Sequence, residues 1–254
     1  MHSKYLFILL FSILSNLVFA QKPQADVLKT EKGNIVIQPV VHGTLALQWD
    51  KKTIIIDPYG GVKAFEGLSN PDLILITDTH GDHLDLKTLS AMDLKNTKFI
   101  VPQAVADKMP EAYLKNSKIL NNDEMTQIFG MDIKAVPMYN LPESTDAKHI
   151  KGRGNGYILK MDDQQIYISG DTEDIPEMRR LKNIDLAFIC MNLPYTMDIN
   201  QAADAVLEFQ PKIVYPYHYR GNPDMSDTEA FKKLVNSKNS NIEVRLRNWY
   251  PAAD

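Results

Sequence analysis

The sequence predicts one layered α+β domain, and three observations predict it. Strand-like runs crowd the early part of the chain, strands and helices mix in the middle, and strand alternates with helix towards the end. No linker-like stretch follows residue 33. The composition, 44% hydrophobic and 24% charged over 254 residues, is that of an ordinary globular chain long enough to bury a sizeable core. At about 150 residues per domain, one or two domains are possible. The missing linker selects one, over residues 34–254, behind a flexible lead-in at 21–33.

The first twenty residues read differently. Lys4 precedes an almost wholly apolar run, Tyr5–Ala20, which ends Val18-Phe19-Ala20 before Gln21. A positive start, an apolar centre and a small residue at the cut make the pattern of a secretory signal peptide, so residues 1–20 are expected to be removed and the protein exported, periplasmic or secreted. The run is short for a membrane span and contains Ser12, Ser15 and Asn16, so no span is expected after removal. Net charge is −4, and losing Lys4 makes it −5. No basic block occurs, which argues against nucleic acid as a partner and leaves a small-molecule substrate. The sequence says nothing of oligomeric state. The single Cys190 cannot form an intramolecular disulfide, and its apolar surroundings suit a buried core thiol.

In chain order, Asn34–Val40, Gly43–Trp49 and Lys52–Ile56 read as strands, the last two joined by a tight polar turn at Asp50-Lys51. Pro58, Gly60 and Gly61 stop the third strand and open a loop to Asn70. Leu73–Ile76 is a fourth strand, and Asp85 is placed to cap a helix over Leu86–Met92. Phe99–Val101 is a short strand before a helix over Gln103–Met109. Met125–Phe129 and Asp132–Val136 pair around Gly130, and Tyr139–Gly154 is a long polar loop of the kind that often carries function. Gly156–Lys160 and Gln165–Ile168 form a further pair. A Pro-led helix over Pro176–Leu181, a strand over Ile184–Met191 and an amphipathic helix over Asn200–Phe209 follow. Lys212–Tyr217 is a strand, Thr228–Val235 a helix and Glu243–Leu246 a last strand.

The chemistry concentrates in Leu73–Asp85, L-I-L-I-T-D-T-H-G-D-H-L-D. An apolar run turns abruptly polar and places Asp78, His80, Asp82 and His83 around Gly81. Clustered carboxylates repel, and buried charge needs a partner. A divalent cation supplies one, and imidazole with carboxylate suits zinc, iron or manganese. Thr77, Thr79, Gly81 and the aspartates disfavour a helix interior, so a strand end followed by a tight turn is expected. Asp78 and His80 then share a side before the turn, with Asp82 and His83 after it, the arrangement a two-metal site needs.

Other candidates sit where strands end. His42 follows the first strand, Asp57 the third, Asp171 the pair ending Ser169-Gly170, and His218 the strand over Lys212–Tyr217. His149 lies in the long loop. In layered folds, sites gather along the edge where strands end. His42 either orders such a site from behind or is a hydrogen-bonded core residue. Asp57 either supports a ligand histidine or forms the turn before Pro58. His218 is flanked by Tyr215, Tyr217 and Tyr219, so a core aromatic cluster competes with a metal role.

Together these residues resemble the metallo-β-lactamase superfamily. Asp78-x-His80-x-Asp82-His83 is similar to its H-x-H-x-D-H signature, with Asp at the first His. Gly170-Asp171-Thr172 resembles the motif whose carboxylate bridges two metals, and Tyr217-His218 resembles the last ligand. His42 and Asp57-Pro58 look like the early motifs of the ascorbate-6-phosphate lactonase-like branch. Where the superfamily places a middle His after the strand ending near Val136, this chain has Pro137-Met138-Tyr139, and His149 is the candidate instead. The resemblance covers roughly residues 34–250 and implies a four-layer αββα sandwich. It implies one metal on Asp78, His80 and His149, another on Asp82, His83 and His218, and Asp171 between, with Asp82, His83 and Asp171 at the centre of the chemistry. It further implies a hydrolase, with two zinc ions (iron or manganese being alternatives) and metal-bound hydroxide attacking an ester, lactone, amide or phosphodiester. No G-x-S-x-G elbow is present for an acyl-enzyme route. Asp78 also leaves open a metal-binding or interaction protein with a degenerate site.

Overall fold

The structure, a computed structural model, describes residues 23–250. The expected signal segment, residues 1–20, lies outside the described residues. The first sheet runs in spatial order β1 (Asp26–Thr30), β2 (Gly33–Val41), β3 (Thr44–Trp49), β4 (Lys52–Ile56), β5 (Leu73–Leu75), β6 (Lys98–Val101) and β7 (Ser117–Ile119). The second is β8 (Met125–Ile128), β9 (Met131–Met138), β10 (Gly154–Met161), β11 (Gln164–Ile168), β12 (Leu186–Cys190), β13 (Ile213–Tyr217) and β14 (Glu243–Val244), again with neighbours in chain order.

The two sheets share one connectivity. β1 to β4 pair antiparallel and β4 to β7 parallel. β8 to β11 pair antiparallel and β11 to β14 parallel. The duplication is structural: no repeat at a fixed short period marks it in the sequence. It makes Asp57, after β4, and Asp171, after β11 by way of Ser169-Gly170, topological counterparts.

Strand alternation builds the layers. Ile54, Ile56, Leu73 and Leu75 are fully buried with Ile133, Ala135, Tyr157 and Leu159 between the sheets. Their neighbours Ile55, Ile74 and Ile76 point the other way and pack with Leu89, Val105 and Ala106 of α1 (Leu86–Ala91) and α2 (Gln103–Ala106). On the far face, α4 (Pro176–Arg179), α5 (Ile199–Phe209) and α6 (Thr228–Lys238) bury Met178, Ala202, Val206, Phe231 and Val235. Each fully buried Ile or Leu contributes about 1.5–3 kcal/mol. Both sheets are therefore covered on both sides, which is the αββα arrangement, and their central strands read as continuous apolar runs for that reason. Asp198 and Gln201 form a capping box that starts α5, and Gln210 in the left-handed conformation (φ 50°) ends it.

The structure differs from the sequence reading at several places. Residues 26–30, expected within a flexible lead-in, form β1 along β2. A tertiary contact holds them: Asp26 accepts hydrogen bonds from Tyr215 Oη (2.7 Å) and Arg247 Nη2 (2.5 Å). Two short elements, α3 (Glu111–Leu114) and β7, carry no sequence signature, because neither is long enough to show a period. The 60–70 loop contains a 3-10 turn over Val62–Phe65. No helix among the described residues is long and apolar enough to cross a membrane.

Candidate metal centre

The strand ends of both halves meet at one edge, and the backbone is shaped for it. After β5, Thr77 donates from its backbone N–H to Asp57 Oδ1 (2.7 Å) and from its hydroxyl to Asp57 Oδ2 (2.6 Å). The chain then makes a single tight turn, with the N–H groups of His83 and Leu84 both bonded to the carbonyl of His80 (3.0 and 2.8 Å). Asp85 caps α1 by accepting from the N–H groups of Lys87 and Thr88, as its position implied. His42, Asp57 and His218 all adopt left-handed backbone (φ 57°, 47° and 47°). Such conformations cost about 1–3 kcal/mol each and persist only where the surroundings enforce them. Here the enforcing contacts are hydrogen bonds: His218 N–H to His42 O (3.2 Å), His42 N–H to Trp249 O (3.1 Å) and Asp57 N–H to Leu75 O (2.9 Å).

Three groups of side chains converge, the candidate ligand atoms within each lying inside 4.8 Å of one another. The first is Asp78, His80 and His149: His80 Nδ1 contacts Asp78 Oδ2, and His149 Nε2 lies 4.0 Å from the same oxygen. The second is His83, Asp171 and His218, with His83 Nε2 3.3 Å from Asp171 Oδ2 and His218 Nε2 3.4 Å from Oδ1. The third is His42, Asp82 and His218, with Asp82 Oδ2 3.0 Å from His42 Nε2 and 3.5 Å from His218 Nε2. Asp171 links the first two groups, since its Oδ2 is also 3.2 Å from His149 Nε2.

The donor atoms fit a cation better than they fit one another. His149 Nε2 is fully enclosed and near Asp171, yet lacks the alignment of a hydrogen bond, and Asp171 Oδ1 is likewise buried without a partner. Such orphaned buried atoms are rare unless something else satisfies them. His83 makes the same point. Its Nδ1 lies 2.8 Å from Asp57 Oδ2 and 2.9 Å from Thr77 Oγ1, which assigns the ring proton to that side. Its Nε2 then presents a lone pair to the Asp171 carboxylate and to His218 Nε2, 3.3 Å away. A proton or a metal ion must lie between them.

The electrostatics agree. Burial works against the charged forms of Asp78, Asp82 and Asp171, but neighbouring groups hold all three below the usual carboxylate range. For Asp78 these are His80, His83 and Arg153; for Asp82, His218, His42 and His83; for Asp171, His218, His83 and His149. Burial also opposes the charged form of His83, yet Asp171 and Asp57 raise its pKa well above the ordinary imidazole value. His42 behaves oppositely: burial pushes it down to about 4, despite Asp82. The cluster is thus three ionised carboxylates demanding positive charge.

All seven residues singled out as metal ligands, Asp78, His80, Asp82, His83, His149, Asp171 and His218, lie in this one cluster. Asp57 stands behind His83, and His42 is held between Asp82 and the Tyr250 hydroxyl (2.7 Å). His218 sits beside the aromatic cluster of Tyr217 and Trp249 as well as in the site. Asn140 lies at the start of the long loop that carries His149. It fixes His149 by accepting its N–H (2.7 Å) and donating to Tyr195 O (2.9 Å). Arg153, Thr77 and Tyr250 were not foreseen. For Arg153 a signal existed: an unexpected buried carboxylate at position 78 needs a nearby cation.

A profile described as a beta-lactamase superfamily domain matches residues 36–218. The chain belongs to the metallo-β-lactamase superfamily. Within it, the chain is 35% identical over 208 residues to a UPF0173 metal-dependent hydrolase of Pyrococcus horikoshii, covering 78% of this chain and 90% of that protein. A crystal structure from Parabacteroides distasonis, assigned as a metal-dependent hydrolase, is 40% identical and superposes with a TM-score of 0.77 over 89% of this chain and 98% of the other. Igni18, a metallo hydrolase from Ignicoccus hospitalis, shares the fold at 24% identity, with a TM-score of 0.71 over 86% of this chain and 96% of its own.

Proposed function

We propose that the chain is a metal-dependent hydrolase acting on a small ester, lactone, amide or phosphodiester. The observation that carries this is the pair of buried atoms His149 Nε2 and Asp171 Oδ1, which have no hydrogen-bond partner, beside His83 Nε2 and His218 Nε2, which face the same Asp171 carboxylate at 3.3 and 3.4 Å. Asp78, His80 and His149 would hold one divalent cation, and His83, His218 and Asp82 a second, with Asp171 touching both groups. Zinc is the preferred ion, since imidazole and carboxylate are its ordinary ligands, with iron or manganese as alternatives. Bound cations of this kind lower the pKa of water to about 7 and polarise the scissile group.

The chain's own residues set the geometry. Asp57 orients His83 and fixes its tautomer, and His42 holds the Asp82 carboxylate. His80 and Asp82 are the parts of the cluster that solvent reaches, with side chains 28% and 33% exposed, so substrate enters on their side. The relatives' names support the activity, and the signal-like residues 1–20 support export.

The test uses the residue 21–254 protein. Elemental analysis should give about two metals per chain, and a panel of ester, lactone, amide and phosphodiester substrates should show turnover that chelation removes and metal restores. Metal retention without turnover on any class would favour a binding protein instead. Fractionation of the expressing cell checks export.

A further inference from the structure

Asp78 is the position where this chain departs from the H-x-H-x-D-H pattern, and its carboxylate is fully buried. Arg153 meets it two-pronged: Nε donates to Oδ1 and Nη2 donates to Oδ2, both at 3.2 Å. Nη2 also donates to the carbonyl of Lys148 at 2.6 Å, the residue before His149. The guanidinium therefore ties together the segments that carry two members of one ligand group. Its own placement is fixed by the backbone beside it. Asn155 N–H donates to Thr77 O at 2.9 Å. At Gly154 a Cβ would meet the same Thr77 oxygen at 2.7 Å, so only glycine lets β10 approach the end of β5 this closely.

We infer that Arg153 is a positioning residue for the Asp78–His80–His149 group. It holds the Asp78 carboxylate with Oδ2 turned towards His80 and His149, and it cancels the charge that aspartate introduces. A histidine at position 78 would be a neutral ligand. Aspartate adds one negative charge to a cluster that already holds Asp82 and Asp171, and arginine removes it. The Asp78–Arg153 pair thus carries the net charge of one neutral imidazole. Arginine suits the task because its planar fork engages both carboxylate oxygens, whereas lysine is a single point of charge. Aspartate and arginine form a unit: each is harmful without the other.

The inference rests on the two-metal reading and is tested by Co2+ titration of the metal-stripped residue 21–254 protein, followed by visible absorption and calorimetry. Wild type should bind two Co2+ per chain. Arg153→Ala should weaken one of the two binding events by about 10–100-fold and leave the other. Arg153→Lys should recover only part. Asp78→His alone should also weaken one event, because it strands a guanidinium beside a cation. Asp78→His combined with Arg153→Ala should bind more tightly than either single variant. Two wild-type-like events in Arg153→Ala, or a double variant no tighter than Arg153→Ala, would overturn the pairing. Should Arg153→Ala lose both events, the double variant decides by the same comparison. A wild type that takes up fewer than two Co2+ defeats the two-metal reading itself, before any variant is compared.

Discussion

Asp57 Oδ2 lies 2.8 Å from Nδ1 of His83, with both side chains wholly buried. The same carboxylate accepts the backbone N–H and the hydroxyl of Thr77, so it saturates the end of β5 and at once orients a proposed metal ligand. Asp57→Ala should therefore lose on two counts. Removing one partner of a buried charged pair costs about 3–5 kcal/mol, and loss of a carboxylate behind a ligand histidine weakens metal binding about 10–100-fold. Asp57→Asn keeps the shape and should recover most of the stability but less of the metal affinity. Denaturant unfolding and competition with a chromophoric chelator separate the two effects.

His42 gives a pH dependence with a definite sign. Its folded-state pKa, about 4, lies below the ordinary 6.5 because burial disfavours the cation. Between pH 6.5 and about 4 the unfolded chain binds this proton and the folded chain does not. Stability is then undiminished above pH 6.5 and falls by about 1.4 kcal/mol per pH unit beneath it. His42→Gln lacks that term. In urea titrations of metal-stripped protein, the stability of wild type relative to His42→Gln should fall steadily from pH 6.5 to 5; a constant difference would contradict the burial argument.

Gly154→Ala probes the approach of β10 to β5. Its Cβ would meet Met138 Cε at 2.6 Å and Thr77 O at 2.7 Å. The methionine can move and the carbonyl cannot, so overpacking should cost about 1–3 kcal/mol. Melting temperature reads the loss, and metal affinity should fall with it because Asp78 follows Thr77 directly.

Cys190 should be inert in the native state. It is fully buried, and burial pushes its thiol up to about 11. A thiol reagent at pH 8 should label no cysteine in folded protein and one per chain after denaturation. Rapid labelling of native protein would show that β12 opens.

Some of this was written in local sequence. The run Leu73–Asp85 announced a strand that ends in a gathered set of Asp and His side chains, because an apolar stretch breaking into Asp, His and Gly turns tightly at the sheet edge. The turn at Asp50-Lys51, the cap at Asp85 and the amphipathic face of α5 were legible for the same reason: each depends on neighbours within a few residues. The gathering of Asp78, His80, Asp82 and His83 required only one turn of chain.

Tertiary structure decided the rest. The strand at residues 26–30 pairs locally with β2, and Tyr215 and Arg247, nearly two hundred residues away or more, anchor its first residue, Asp26. His149 joins Asp78 because a long loop folds back under Asn140, which no spacing encodes. Whether His42 was core or site depended on Asp82, from the turn after β5, lying 3.0 Å from it at the sheet edge. The charge on Asp78 was visible in the sequence, but its neutralisation by Arg153, 75 residues on, was not. Sequence determines which side chains a local turn can gather, since backbone sterics act over a few residues. Which distant charges meet is set by the packing of two sheets, whose burial energy is spread over the whole chain.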